Sequence, residues 1–371
     1  MMKSILSLWL FFILGSAFLL RGSEDYNFFM ISDTHFGTAG TFCTDPKAPK
    51  KHRTRKNIHR ADRTMPHYRN LFRQIRETAD AKTRFLVEGG DLIEGCTRNE
   101  TVHKQVLTDA VNLMKEYFKF PIYMIKGNHE AAGNGGEKAY QAVLLPEMAK
   151  YAHVSKLEEA NYVIRQGRDV YIYLDYTSGN WFSFLEKTLS SLKEKPRWVF
   201  TVIHCPLLPT WAFRKYALRT IELLSQYDGI LLCGHHHANT VTRYEKAGKR
   251  VTQITVSTIL QPVSPLQMRM REVKGTLEQF KADFRKRAGT KYGWFLPVFE
   301  KKWAPYLTEY RKISGLGYAR FYVSDREVVM EYRGADLRSC VKIQVMTSRK
   351  KTSRKTIGIE NKKIQPGVEK K

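Results

Sequence analysis

Residues that could bind metal ions occur in five short groups along the sequence. In chain order the groups are Asp33-Thr34-His35, Gly90-Asp91, Gly127-Asn128-His129-Glu130, His204 and Gly234-His235-His236-His237. Their carboxylate and amide oxygens and imidazole nitrogens suit divalent Mn, Fe or Zn, and the absence of a thiolate argues against a soft, closed site. If the five groups meet in space, the sequence predicts metal-assisted chemistry there.

Each group closes a segment that has the composition of a buried β-strand. The segments are NFFMISDTH, RFLVEGGD, IYMIKGNHE, WVFTVIH and GILLCGHHH. Between them, apolar residues recur at helical spacing over residues 65–78, 101–118, 137–151, 180–193 and 209–227. Strands that alternate with helices predict an α/β sheet with many parallel pairings. Because the carboxyl ends of such strands share one edge, we expect the five groups to converge there.

This ordered series resembles the D-x-H, G-D, G-N-H-E, H and G-H-x-H motifs of the calcineurin-like metallophosphoesterases, over residues 27–258. One such motif is a common chance match, whereas five in order, each at the end of a predicted strand, are a specific signal. The resemblance implies a four-layer α/β/β/α sandwich of two mixed sheets flanked by helices. It also implies a metal site at the carboxyl ends of the strands.

The resemblance further implies two divalent metal ions, which would be Mn, Fe or Zn. Seven residues are expected to hold them: Asp33, His35 and His237 the first ion, Asn128, His204 and His235 the second, and Asp91 both. Ions about 3.5–4 Å apart would generate the attacking hydroxide and neutralise the phosphoryl oxygens. His129 is left free and, like its counterpart in the family, is expected to protonate the leaving oxygen.

Three details refine this expectation. Gly90, Gly127 and Gly234 each precede a ligand, where the backbone must turn sharply or approach another element closely. Glu94 occupies the position at which purple acid phosphatases have a metal-binding tyrosine, so we expect no tyrosinate-bound ferric ion. His236 is expected to bind no metal, because neighbouring side chains in an extended turn point apart.

The first residues resemble a secretory signal. Lys3 precedes an apolar run over residues 5–14, and Gly15, Ser16 and Ala17 follow it. The uncharged stretch between Lys3 and Arg21 is also just long enough for an uncleaved membrane anchor. The sequence favours a cleaved signal over residues 1–23, which predicts an exported protein, periplasmic or secreted, with anchoring as the alternative.

The remaining organisation follows from composition. We expect a metallophosphoesterase core over 24–262 with a basic insertion at about 38–64, a helical, aromatic-rich insertion or cap over 263–316, terminal strands over 317–346 that complete the core, and a disordered basic tail over 347–371. The density of aromatic residues in the third of these segments favours structural packing over a cap. Five cysteines without C-x-x-C spacing indicate neither a disulfide scaffold nor a zinc ribbon.

The formal net charge of +26 is partly concentrated in two places. Eight Lys and Arg residues in 47–63 face one acidic residue, and nine in 349–371 face two. Two interpretations stay open: attraction to a phosphorylated substrate, an anionic surface or an anionic polymer, and general solubility. The sequence carries no signal for the oligomeric state.

Three functions are compatible with these observations. The favoured one is an exported dimetal phosphoesterase that hydrolyses a phosphate mono- or diester. The alternative is a metal-dependent nuclease or phosphodiesterase acting on nucleic acid, which the basic segments favour. A non-catalytic binding scaffold is less favoured, because no expected ligand is missing. The choice of substrate depends on loop residues that the motifs do not contain.

Overall fold

The computed structural model describes residues 25–37, 39–43, 58–208, 215–258, 271–273, 275–291, 296–336 and 339–348. The expected signal segment, residues 44–57 of the basic insertion and the tail beyond 348 lie outside the described residues. No helix in the described part of the chain is long and apolar enough to cross a membrane.

The first of two β-sheets has six strands in the order β14-β13-β12-β1-β2-β3. In chain order, these are β1 (Tyr26–Ile31), β2 (Thr83–Glu88), β3 (Ile122–Met124), β12 (Gly317–Val323), β13 (Glu327–Gly334) and β14 (Cys340–Thr347). Strands β1, β2 and β3 pair in parallel, whereas β12, β13 and β14 continue the sheet antiparallel. The segment expected to form terminal strands, residues 317–346, therefore extends this sheet.

The second sheet has eight strands in the order β10-β11-β8-β9-β7-β6-β5-β4. These are β4 (Tyr162–Gln166), β5 (Asp169–Leu174), β6 (Val199–Ile203), β7 (Gly229–Cys233), β8 (Asn239–Lys246), β9 (Lys249–Thr255), β10 (Arg271–Val273) and β11 (Leu307–Ser314). Pairing is parallel from β5 through β6 and β7 to β9 and antiparallel elsewhere. Both sheets are thus mixed, as expected.

Seven α-helices cover the outer faces of the sheets in the described part of the chain. They are α1 (Ile58–Thr78), α2 (Glu100–Tyr117), α3 (Gly136–Tyr151), α4 (Trp181–Ser190), α5 (Ala217–Ser225), α6 (Leu277–Lys291) and α7 (Leu296–Lys302). Helices α1 to α3 pack on the first sheet and α4 to α7 on the second. The order of layers is therefore α/β/β/α, which confirms the predicted fold class.

Strand alternation divides the apolar residues of the second sheet between two cores. In β5, Tyr171 and Tyr173 face the first sheet, whereas Val170, Ile172 and Leu174 face helices α4 to α7. Successive side chains of a strand point to opposite faces, so a strand buried on both sides is apolar throughout. Each of these apolar runs ends at a polar loop, and those loops carry the candidate site.

The segment 263–316 differs from the helical layer expected for it. It supplies helices α6 and α7, whose Phe280, Phe284 and Phe299 pack against the outer face of the second sheet. It also supplies β10 and β11, which extend that sheet beyond β8. Strand β10 is only three residues long, too short for a periodic pattern to reveal it. Helix α1 likewise begins at Ile58, within the expected insertion, rather than at residue 65.

Candidate metal centre

Five loops at the carboxyl ends of parallel strands bring the predicted ligands together. Strand β1 leads to Asp33, β2 to Asp91, β3 to Asn128, β6 to His204 and β7 to His235. The loops are hydrogen-bonded to one another: the Asp33 N–H donates to Gly90 O at 2.9 Å, and the His35 N–H donates to Asp91 O at 2.9 Å. Residues from both sheets thus meet at one edge of the sandwich.

The first group of potential ligands comprises Asp33, His35, Asp91 and His237, whose donor atoms all lie within 4.8 Å of one another. His35 Nε2 is 3.2 Å from His237 Nε2 and 3.9 Å from Asp91 Oδ2. His237 Nε2 is 3.4 Å from Asp33 Oδ1. Such close approach of two imidazole nitrogens and two carboxylates is the arrangement that a shared cation stabilises.

The second group comprises Asp91, His204 and His235, within the same distance limit. His204 Nε2 is 3.1 Å from Asp91 Oδ2. Asp91 therefore belongs to both groups. Asn128 stands at the same edge, because the N–H of the next residue, His129, donates to Asp91 Oδ1 at 2.9 Å. His236 is in neither group, and its N–H donates to Gly234 O at 2.8 Å.

Backbone conformation at the site is strained. Nine non-glycine residues of the described chain have positive φ. Five of the nine are predicted ligands: Asp33, His35, Asp91, His235 and His237. The left-handed region disfavours residues with a Cβ, and such conformations persist only where the surroundings enforce them. The concentration of positive φ here shows that the fold imposes this arrangement of side chains.

Close approach of the loops requires glycine at two of the predicted positions. A Cβ on Gly127 would lie 2.2 Å from Asp91 Oδ1, and a Cβ on Gly234 would lie 1.9 Å from Ser32 Oγ. Both distances are far below van der Waals contact, so any other residue would displace the neighbouring loop. The glycines before Asn128 and His235 therefore allow the ligand loops to touch.

Glu130, which received no role from the sequence, joins two of the ligand loops. Its Oε2 accepts hydrogen bonds from the N–H groups of Gly127 at 2.6 Å and Asp91 at 3.2 Å, and its Oε1 accepts from the Leu92 N–H at 2.5 Å. The side chain is fully buried. Burial and the charge of Asp91 raise the pKa of Glu130 to about 7. This carboxyl fixes the loops that carry Asp91 and Asn128 relative to each other.

Glu94 contacts two of the histidines. Its Oε2 lies 2.9 Å from His35 Nδ1, and its backbone carbonyl accepts a hydrogen bond from His129 Nδ1 at 2.6 Å. These three residues form a third group with donor atoms in ligand range. We interpret it as an orienting contact, because His129 Nδ1 is already committed to a carbonyl and His35 directs Nε2 to the first group. Glu94 thereby sets the direction of both rings.

Opposing pKa shifts mark the centre of the site. Burial alone would raise the pKa of Asp91, but the rings of His204, His129 and His35 lower it well below its usual range. Burial alone would lower the pKa of His204, whereas Asp91 raises it to about 10. Burial and the neighbouring His204 lower the pKa of His235 to about 4. Charges placed this closely compete for protons, as they do at catalytic sites.

The residues present fit a pair of divalent ions. His204 Nδ1 is 2.8 Å from Gly89 O, and since a carbonyl only accepts, this nitrogen carries the proton. The other ring nitrogen, Nε2, is buried and lies 3.1 Å from Asp91 Oδ2. A histidine that donates from one nitrogen to a carbonyl presents the lone pair of the other to a metal. Together with the oxygen donors, this set suits Mn, Fe or Zn.

A two-sheet sandwich with donor groups that share one aspartate at its carboxyl edge has the features of a metal-dependent phosphoesterase. The model of the calcineurin-like phosphoesterase family matches residues 26–239. The chain belongs to this family, which confirms the resemblance noted in the sequence and the prediction of an enzyme. No curated protein sequence matches the chain.

Three solved structures are similar to this chain in fold. PhoD is 10% identical, with a TM-score of 0.49, and the match covers 86% of this chain and 68% of that one. A dimetal phosphatase from Danio rerio is 14% identical, with a TM-score of 0.49 and coverages of 86% and 99%. GAP50, the anchor in the inner membrane complex of Plasmodium, is 12% identical, with a TM-score of 0.45 and coverages of 88% and 90%.

Proposed function

We propose that the protein is an exported dimetal phosphoesterase that hydrolyses a phosphate mono- or diester. The observation that carries the proposal is the position of Asp91, which belongs to both groups of potential ligands. One carboxylate between two sets of nitrogen and oxygen donors is the arrangement that a two-metal site needs. Export rests on the signal-like first residues alone.

The two ions would be held by the residues that the family motifs predict. The first would bind Asp33, His35 and His237, the second Asn128, His204 and His235, and Asp91 would contact both. When bound, such ions supply the nucleophile and neutralise charge on the phosphoryl oxygens. The distances within each group support the assignment, and for Asn128 the support is its family position and its place beside His129.

His129 is the residue that we propose as the general acid. Its Nδ1 carries a proton because it donates to the carbonyl of Glu94. Burial lowers the pKa of His129, but Asp91, Glu94 and Glu130 together raise it above its ordinary value. The other ring nitrogen, Nε2, faces the ligand cluster 3.9 Å from Asp91 Oδ2, so a proton on it would point into the site. That proton is the one we assign to the leaving oxygen.

Substitution of His129 tests this role. In metal-supplemented hydrolysis of a model diester and a model monoester, His129→Ala should keep the full metal content and lose rate strongly. The loss should be smaller for esters with good leaving groups, because these need less help from an acid. His67→Ala, a half-buried histidine on α1, is the matched control. Equal rate losses for good and poor leaving groups would rule out the acid role.

A nuclease is the second candidate, and the net charge of +26 favours it. Contacts between Lys or Arg and the phosphate backbone make binding strongly salt-dependent. Removal of residues 349–371 should then weaken binding to DNA or RNA and reduce its salt dependence. If the full chain binds neither nucleic acid at low salt, this candidate fails.

A further inference from the structure

Tyr176 covers the half of the site that we assign to the second ion. It follows β5 on the loop that leads to α4, and it is half-buried. Its hydroxyl donates to Asn128 Oδ1 at 3.3 Å. Its ring lies nearly parallel to that of His204, with 6.0 Å between the ring centroids. One side chain that the family motifs do not include therefore touches two of the proposed ligands.

The loop that carries Tyr176 is fixed by its own hydrogen bonds. Asp175 Oδ1 accepts from the N–H of Thr177 at 2.9 Å and from its hydroxyl at 2.6 Å. Asn161 Oδ1 accepts from the Asp175 N–H at 2.8 Å. These contacts lie within the second sheet and its loops, and they do not involve the candidate ligands. Tyr176 is thus held in place independently of any metal.

The hydroxyl of Tyr176 is close to the open side of the site. Asn128, its acceptor, is exposed, whereas Asp91 and His204 are buried beneath it. A hydroxyl has one proton, which can rotate about the C–O bond from one acceptor to another. The Tyr176 proton can therefore turn from Asn128 Oδ1 to an oxygen that binds beside Asn128 on the same ion. The oxygens of a phosphate ester would approach from this side.

Resting on the proposed function, we infer that Tyr176 is a substrate-binding residue whose hydroxyl turns its one proton from Asn128 Oδ1 to a phosphoryl oxygen when the ester binds. A positioned neutral donor can stabilise a phosphoryl oxygen that neither ion contacts and the charge that develops on it in the transition state. The competing role is structural: the hydroxyl would only hold Asn128 in place for the metal. If Tyr176 binds substrate, phosphate affinity depends on its hydroxyl. If its role is structural, metal affinity depends on the hydroxyl.

The test compares Tyr176→Phe with the wild type and with Tyr227→Phe. Tyr227 is the matched control because it is also half-buried and its hydroxyl contacts Leu189 O, at the opposite end of the second sheet. Calorimetry would measure Mn²⁺ binding to each protein and then inorganic phosphate binding to the Mn²⁺-loaded protein. Hydrolysis of a model diester would give kcat/KM.

We expect Tyr176→Phe to bind Mn²⁺ like the wild type and to lose roughly tenfold to a hundredfold in phosphate affinity and in kcat/KM, the usual effect of a hydrogen bond to a charged group. Tyr227→Phe should change neither. Loss of Mn²⁺ by Tyr176→Phe would overturn the inference in favour of the structural role. Unchanged phosphate affinity and kcat/KM would overturn it while leaving the phosphoesterase intact, and an inactive wild type would overturn both.

Discussion

A buried aspartate stands at each end of the sandwich, and the two have opposite surroundings. At the amino ends of the strands, Asp169 accepts hydrogen bonds from Tyr26 Oη at 2.8 Å, from Arg197 Nη2 at 2.6 Å and from the Trp198 N–H at 3.1 Å. At the carboxyl ends, Asp91 faces the ring nitrogens of several histidines.

The difference separates a structural carboxylate from one suited to a metal. Asp169 has donors on both oxygens, including a cation, so it needs nothing further. Asp91 is surrounded by nitrogens that are acceptors when neutral, and only protons or metal ions can satisfy all of them together. Substitutions at the two ends of the sandwich should therefore have different consequences.

The largest effect is expected from Gly127→Ala, which alters the metal end alone. The added Cβ would meet Asp91 Oδ1 at 2.2 Å, so the Asp91 and Asn128 loops must move apart. Displacement of catalytic groups by about 1 Å costs on the order of a hundredfold in rate, and we expect at least that loss in ester hydrolysis. Gly179→Ala is the control, because a Cβ there meets nothing within 4 Å. Comparable activity in the two variants would contradict the packing described for the loops.

Asp169→Asn should affect the amino ends of the strands. It should lower stability and leave metal binding unchanged. Arg197 is almost completely buried, and among the described residues it would keep Asp325 as its remaining acidic partner. Breaking a buried ion pair costs about 3–5 kcal/mol, and we expect the lower end of this range in the free energy of unfolding, measured by urea denaturation. The exposed Asp109→Asn serves as control. A change in metal affinity without a loss of stability would contradict the structural role of Asp169.

Glu94→Ala should weaken metal binding without abolishing it. The side chain orients His35 through Nδ1, and loss of such an outer contact typically costs about 10- to 100-fold in metal affinity. Glu94→Gln keeps an acceptor oxygen and should lose less. Titration with Mn²⁺ measures the series, with Glu158→Ala as a surface control. If the glutamine variant were no better than alanine, charge rather than orientation would be the contribution of Glu94.

The smallest effect is expected from His236→Ala, the middle residue of the histidine triplet. His235→Ala and His237→Ala should each lower metal content and hydrolysis, since both rings belong to the ligand groups. His236→Ala should change both far less, because His236 lies outside these groups. Metal analysis of the three purified variants gives the ranking. A His236 variant as impaired as its neighbours would mean that the ligand register in this turn is wrong.

The strands that end at a residue able to bind a metal were predicted better from the sequence than the other strands. The apolar runs before Asp33, Asp91 and His204 identified strands of both sheets, and their alternation with helices indicated the fold class. The hairpin β4–β5 was not predicted, although it leads to Tyr176, because neither of its strands ends in one of the family motifs. Strands β10 and β11 were not identified because one is very short and the other is largely polar.

The parts of the site that consist of potential ligand and acid side chains were predictable from the sequence. The metal roles of the seven predicted ligands and the acid role of His129 stay predictions, but the structure places their side chains at one edge. The role of Glu130 was not predictable, because its partners are backbone N–H groups, which leave no trace in the sequence. Tyr176 was not predictable either, since a tyrosine after a strand is common and only its distance to Asn128 singles it out.

The central claim is that Asp91 joins two donor groups into one dimetal site, and a metal count tests it most directly. Full-length wild type and Asp91→Ala would be loaded with Mn²⁺, dialysed and measured by elemental analysis, with Asp109→Ala as the matched control. The wild type and the control should retain two ions per chain, and Asp91→Ala should lose both, with unchanged secondary structure by circular dichroism. Retention of two ions by Asp91→Ala, at wild-type affinity, would contradict the dimetal site.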